Sequence, residues 1–334
     1  MKSRILTLLA CLLVVSACTA APEVSSGPTP ALTPIRLPMG YIPDPQFAPV
    51  YVADYKGYFA EENIAIEFDY SYETDGIALV GAEEFSFTLG SGEQAVMARA
   101  KGLPIVYVMQ WFQKYPIAVI AKDEAGIEAP SDLVGRQIGI PGFFGASYVG
   151  FEGLLHAVGL TDSDVDLVEI GFTQAEALAQ DQVEAAVVYV NNEPVRLRLQ
   201  EINLDEIDVA DYVDMVGNGL MTNDATVRDH PELVEGMVRA LLRGLRDVLA
   251  DPDEAFDICK NYVEGLDATP ETEQAQRAVL QASLEIWQAP RLGMSAAEAW
   301  SNTQEVLLAI DFIQEPVDLT AIWTNQFVEA AGVR

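Results

Sequence analysis

The chain has 334 residues, half of them hydrophobic, and a formal net charge of −32 from 51 acidic against 19 basic residues. So strong an acidic excess excludes nucleic acid as a partner, because that binding draws on clustered basic residues to displace counterions. It also works against capture of small anions, while most of these carboxylates simply keep the protein soluble.

Two positive charges, Lys2 and Arg4, precede an apolar run from Ile5 to Val15 and then Ser16-Ala17-Cys18. A basic start, an apolar stretch too brief to span a bilayer and small residues at the cut predict a secretory signal peptide over residues 1–17. Val15-Ser16-Ala17-Cys18 resembles the bacterial lipobox, and that resemblance implies cleavage before Cys18 with acylation of its sulfur. Several acyl chains anchor a protein more firmly than one, at about 0.8 kcal/mol per buried methylene. Residues 19–34 are rich in Pro, Ser and Thr and have no apolar period, so residues 18–34 are expected to form a lipidated, flexible tether. Later apolar patches are broken by charge within about ten residues, which leaves lipid as the expected anchor on the outer face of the cell membrane. Residues 35–334 exceed what one core usually supports and predict two lobes.

From Ile35 short β-like runs alternate with helical ones. Ile35–Tyr41 and Ala65–Tyr70 read as strands on either side of a helix over Phe47–Glu62. Phe85–Leu89 is a strand, Ser91-Gly92-Glu93 opens a helix to Ala100, and Ile105–Gln110 is the next strand. A second set holds strands at Ile117–Ala121, Gln137–Ile140, Asp166–Gly171 and Ala185–Tyr189. Between them lie a helical turn at Pro130–Leu133 and helices at Ala146–Val158 and Gln174–Gln182. Beyond Pro231 the chain reads as helix almost to its end: Pro231–Ala250, Asp253–Val263, Thr269–Trp287, Ser295–Ile310 and Leu319–Ala331. Asp251-Pro252, Thr269-Pro270 and Ser295 supply stops and caps. Strand, helix, strand at this spacing predicts an α/β fold with mainly parallel sheets. Lobe 1 is expected over 35–119 and 221–334, its helical C-terminal tail packed back on it, and lobe 2 over 120–220. Closure is expected about hinges near Ala118–Lys122 and Gly217–Met221.

Ligands of open α/β sheets bind at the carboxyl ends of strands, so the loops after strands are the candidate site. The first offers Tyr41, Asp44 and Phe47, the third Ser91 and Glu93, the fourth Trp111. The second set adds Phe143, Phe144, Ser147 and Tyr148, then Tyr189, Asn191, Asn192 and Glu193. These loops carry aromatics, carboxamides, hydroxyls and carboxylates but almost no arginine, the residue suited to bidentate recognition of phosphate, sulfonate or carboxylate. Aromatic faces can sandwich a planar heteroring while Asp44, Asn191, Asn192 and Glu193 read the groups at its edge.

Other motifs carry little. Gly90-Ser91-Gly92-Glu93-Gln94-Ala95 satisfies a weak dinucleotide fingerprint, but no acid ends the next strand, where Gln110 and Trp111 stand. With only His156 and His230, neither a histidine triad nor a histidine-rich metal site can be assembled readily. No catalytic residue, metal or cofactor is expected. Cys259, inside a helical run, is expected to pack in the core.

Three segments resemble a known family: Gly57-Tyr58-Phe59-Ala60-Glu61-Glu62-Asn63-Ile64, the stretch Ile127–Gly139 around Pro130-Ser131-Asp132-Leu133, and Tyr189-Val190-Asn191-Asn192-Glu193-Pro194. They are similar to the periplasmic solute-binding family that includes the thiamine-pyrimidine-precursor, sulfonate and nitrate binders. The third segment looks closest to the thiamine-precursor branch and its relatives that bind riboflavin. The resemblance covers nearly all of residues 35–334. It implies a two-lobed, type II-like binding protein that holds ligand in its cleft and presents it to an ABC permease and its ATPase. The pyrimidine synthases of fungi, which resemble this family, carry a cysteine-rich motif and an active-site histidine where this chain has Pro141–Ser147, so that pattern is missing. The number of cleft aromatics favours riboflavin over a thiamine pyrimidine precursor as ligand. A pyrimidine-synthesising enzyme and a sensory or adhesive lipoprotein are the alternatives of other classes.

Overall fold

The computed structural model describes residues 31–333. The expected signal peptide, Cys18 and most of the expected tether therefore lie outside the described residues. Thr33 and Pro34, expected at the tether's end, already belong to the first strand, where Thr33 pairs with Ile64.

The first half runs β1 (Thr33–Gly40), α1 (Ala48–Tyr55), α2 (Tyr58–Glu61), β2 (Ile64–Tyr72), α3 (Glu73–Gly81), β3 (Thr88–Ser91), α4 (Gly92–Ala100) and β4 (Ile105–Gln110). Along β1 the period of two sends Ile35, Leu37 and Met39 into the core. The single helix expected over Phe47–Glu62 is two, because Gly57 at φ +76° turns the chain between α1 and α2.

The chain then crosses to a second sheet through β5 (Ile117–Lys122), β6 (Gln137–Ile140), α5 (Gly145–Ala157), β7 (Asp166–Glu169), α6 (Gln174–Ala179), β8 (Ala185–Tyr189), α7 (Glu193–Leu199) and β9 (Leu204–Asp208). It returns in β10 (Asn218–Asn223) and α8 (Asp224–Asp229), followed by α9 (Pro231–Ala250), α10 (Pro252–Cys259), α11 (Pro270–Trp287), α12 (Ala297–Ala309) and α13 (Gln326–Ala331).

The α/β architecture stands, with mixed rather than mainly parallel sheets. β1 and β2 pair in parallel, whereas β10 lies antiparallel between β3 and β4. The second sheet has the order β7-β6-β8-β5-β9, parallel about β6 and antiparallel on both sides of β5. The antiparallel strands are those that carry the chain into and out of the second sheet. Both expected hinge segments, in β5 and β10, are thus held by neighbours on each side, and the connections that cross between sheets run over residues 111–116 and 209–217.

Most of the C-terminal helices pack on the first half. α9 buries Met237, Val238, Leu241, Leu242, Leu245 and Val248 at helical spacing and turns Arg239 and Arg243 to Glu62 and Glu61. It crosses α1 so closely that a Cβ on Gly244 would stand 2.0 Å from the Pro49 carbonyl oxygen. Gly244→Ala must push the two helices apart, and the expected loss is about 2–3 kcal/mol in urea unfolding. A variant as stable as the parent would mean that the crossing yields freely.

The helix expected over Leu319–Ala331 is broken. Its middle is drawn onto β4, where Tyr107 N–H donates to the Ile322 carbonyl at 2.7 Å and Thr324 N–H to the Tyr107 carbonyl at 3.0 Å. Trp323 stacks on Trp300 there, so tertiary pairing overrides local helix preference.

Candidate functional site

The carboxyl ends of seven strands converge on one cavity with about 890 Å³ of empty space. After β1 come Tyr41, Gln46 and Phe47, at the end of β2 Tyr72 followed by Glu73, and after β4 Trp111 and Phe112. The second sheet contributes Phe144 and Ser147 after β6, Phe172 and Gln174 after β7, and Tyr189, Asn192 and Glu193 at the end of β8. Gly90 at the end of β3 and Asn218 at the start of β10 complete the wall.

Two groups of rings shape it. On the inner side Phe47, Phe112 and Trp287 surround Trp111 at centroid distances of 5.9, 5.1 and 5.6 Å, and Tyr189 lies 6.4 Å from Phe112. Trp287, at the end of α11, is wholly buried and backs this group. On the outer side rings of the two halves meet: Tyr41 edge-on to Phe172 at 4.8 Å and Tyr72 edge-on to Phe144 at 5.5 Å. Flat apolar faces with polar tips are what a planar ring system needs on either side.

The polar groups are few and placed. Glu193 opens α7 and accepts the Tyr189 N–H at 3.1 Å. Burial pushes its carboxyl up to about 7, although backbone N–H groups and Arg196 pull the other way. Asn218 donates to the Tyr189 hydroxyl at 3.4 Å. Trp111 Nε1, Asn192 Oδ1 and Asn218 Oδ1 are buried with no protein partner among the described residues. Among the described residues no lysine or arginine lines the cavity.

The structure thus gathers Tyr41, Phe47, Trp111, Phe144, Ser147, Tyr189, Asn192 and Glu193, all expected from sequence, around one space. It places six other candidates elsewhere. Asp44 is buried behind the wall, bonded to Arg196 Nη2 at 2.9 Å and to the Gln46 N–H at 3.0 Å. Asn191 donates to Gln46 Oε1 at 2.9 Å and to Ser283 Oγ at 2.7 Å. Ser91 and Glu93 are buried beneath Glu73. Phe143 is 49% exposed and meets Tyr148, which leans on Phe312 outside the cavity.

Among the lining residues that escaped the sequence reading are Tyr72, Glu73, Phe172 and Gln174. The rule that loops after strands carry the site would have found them had it been applied to β2 and β7. Both histidines are exposed and neither lines the cavity. Cys259 is buried, and burial raises its thiol above the usual range, as for an inert core residue. The glycine-rich turn before α4 has no room for a phosphate, because Gly92 N–H donates to the Val216 and Gly217 carbonyls and its Cβ would meet Val216 at 2.4 Å.

The chain is 39% identical over 351 residues to the riboflavin-binding protein RibY of Chloroflexus aurantiacus, covering 98% of each chain. It is 26% identical over 327 residues to the formylaminopyrimidine-binding protein of Halalkalibacterium halodurans, covering 95% of this chain and 97% of that one. Among solved structures, the alkanesulfonate-binding protein SsuA of Xanthomonas axonopodis pv. citri shares the two-lobed periplasmic binding-protein fold. Its TM-score is 0.69 at 14% identity, over 88% of this chain and 98% of that one. Residues 44–255 match the family described as NMT1/THI5 like. By that match and by its likeness to RibY along nearly its whole length, the chain belongs to the NMT1/THI5-like family.

Proposed function

We propose that this chain is an extracytoplasmic solute-binding lipoprotein, not an enzyme, that captures riboflavin between its lobes and hands it to an ABC permease and its ATPase. The observation that carries the reading is a cavity walled by rings from both halves and, among the described residues, lined by no cationic side chain. A flat, uncharged ring system gains from the ring faces. Glu193, Asn192, Ser147 and the Trp111 N–H are suited to the carbonyl, N–H and hydroxyl groups at its edge and along a polyol chain. The 39% identical relative named as a riboflavin-binding protein supports the same ligand.

In this reading residues 35–119 and 221–334 form one lobe and 120–220 the other, and Cys18 carries the lipid. In the closed form the ring pairs Tyr41 with Phe172 and Tyr72 with Phe144, which already meet in this structure, would cover the ligand and exclude water. Ligand shifts that equilibrium only by its differential affinity for the closed form. A thiamine pyrimidine precursor is the second reading. Glu193 and Asn192 favour it, as residues that can read a pyrimidine edge, and so does the 26% identical formylaminopyrimidine-binding relative.

Titration of the mature protein with riboflavin should quench flavin fluorescence with a dissociation constant of about 1 μM or lower, near −8 kcal/mol. Formylaminopyrimidine should not displace the flavin at comparable concentration. An unquenched flavin, with heat released on adding the pyrimidine instead, would exchange the first reading for the second.

A further inference from the structure

At the end of β3 the Ser91 hydroxyl lies 2.6 Å from Glu73 Oε1 and also in hydrogen-bond contact with Glu93 Oε1. A hydroxyl has one proton to give. Only one of the two carboxyls can accept it, and the other must bring a proton of its own.

The geometry assigns the roles. Glu73 Oε1 also accepts the Ser91 N–H at 2.6 Å, so two donors converge on that oxygen and favour its charge. Burial raises the Glu73 carboxyl, and these two bonds oppose the rise. Glu93 is wholly buried, its Oε2 has no partner among the described residues, and beside Ser91 its Oε1 takes only the longer bond from Gln94 Nε2 at 3.3 Å. Burial, with the negative Glu73 beside it, pushes its carboxyl up to about 8. Glu93 therefore holds the proton at neutral pH. Glu73 is left as a lone carboxylate on the cavity wall, with Oε2 bonded to no protein group among the described residues.

The same wall carries Trp111 Nε1 and Asn192 Oδ1, on residues 4% and 2% exposed, without protein partners among the described residues. Buried polar atoms are almost always paired, so unpaired ones facing a cavity mark where a ligand supplies the partner.

We infer that Glu73 is a specificity-determining residue, whose carboxylate accepts from a hydroxyl or N–H group of an uncharged ligand and excludes the phosphorylated form of that ligand. The inference rests on the flavin reading of the cavity. A charge-assisted bond from a ligand hydroxyl is stronger than a neutral one. A phosphate ester would instead bring about −1.5 to −2 charges against Glu73, and the nearby Arg196 is already turned to Asp44 at 2.9 Å.

The test is fluorescence titration of the parent, Glu73→Gln and Glu73→Asp with riboflavin and with its phosphate ester, with thermal unfolding to show that each variant is folded. The parent should prefer riboflavin by about 100-fold, like charges across a closed site costing several kcal/mol. Glu73→Gln should shrink that ratio by about tenfold or more, through tighter binding of the ester and weaker binding of riboflavin. Glu73→Asp, which keeps the charge on a shorter arm, should keep most of the rejection. If Glu73→Gln is folded and its ratio equals that of the parent, Glu73 has no such role while the flavin reading survives. If Glu73→Gln does not fold, the Asp variant decides, and loss of rejection there overturns the proposal. A parent that takes up neither flavin removes the flavin reading and the role of Glu73 with it.

Discussion

Asp44→Asn should lower the stability of the folded chain by about 3 kcal/mol, and adding Arg196→Gln should return most of that loss. Asp44 follows β1 and is 2% exposed, while Arg196 sits in α7 beside the second sheet with 29% of its side chain exposed. Their 2.9 Å contact spans the two halves just behind the cavity wall. Burial raises the Asp44 carboxyl in spite of Arg196 and the two contributions from Gln46. Taking the charge out of water therefore costs more than its partners return. The pair adds little net stability, yet removing one member strands the other, and Arg196 Nε already lacks a partner among the described residues. Partial exposure of Arg196 keeps the expected loss at the low end of the range for buried pairs. Urea unfolding of the parent, both single variants and the double variant measures the coupling. If the double variant loses the sum of the two single losses, the residues are independent and the contact does not tie the halves.

That contact shows where the sequence stops being legible. The edges of β4, β6 and β8 are visible as apolar runs, and the loops that follow supply Trp111, Phe144 and Glu193 to the cavity. Asp44 and Asn191 stand in the same kind of loop, yet each is spent on a partner far along the chain, Arg196 in one case and Ser283 in the other. Position after a strand shows which residues arrive at the site, not which of them are already satisfied. Glu73 was missed for the opposite reason: as an acid in the first turn of a helix it looks like ordinary dipole compensation. Its burial and its contact with Ser91 come only from the crossing of α3 over β3. β9 reads Leu204-Asp205-Glu206-Ile207-Asp208, too acidic to be taken as a strand, and is tolerated at the sheet edge, where one side faces solvent. The mixed strand directions were hidden similarly, because an apolar run has no arrow.

Stability should fall as pH rises from about 5.5 to about 8.5, and Glu93→Gln should remove much of that fall. The folded carboxyl of Glu93 is pushed up to about 8, against a usual 4.5, by burial first and by the negative Glu73 second. Between those values the folded chain holds a proton that the unfolded chain has released, so unfolding gains as pH rises through the window. Below it both states are protonated and the cost vanishes. Glu193 and Glu152, each pushed up to about 7 mainly by burial, act in the same direction. Carboxyls held low, such as Asp247, lose their contribution only in more acid solution, outside the window. A full shift would amount to about 4–5 kcal/mol at 1.36 per unit, and relaxation around the ionised group reduces the expected share of Glu93 to about 2 kcal/mol. At about 2–4 °C per kcal/mol, that is a readable change in melting temperature. The amide of Glu93→Gln mimics the protonated acid and can donate to Ser91 Oγ, so at the acid end of the range the variant should match the parent within about 1 kcal/mol. Parallel curves for parent and variant across the whole range would mean that Glu93 does not change its protonation there, and that the single proton shared around Ser91 sits on Glu73 instead.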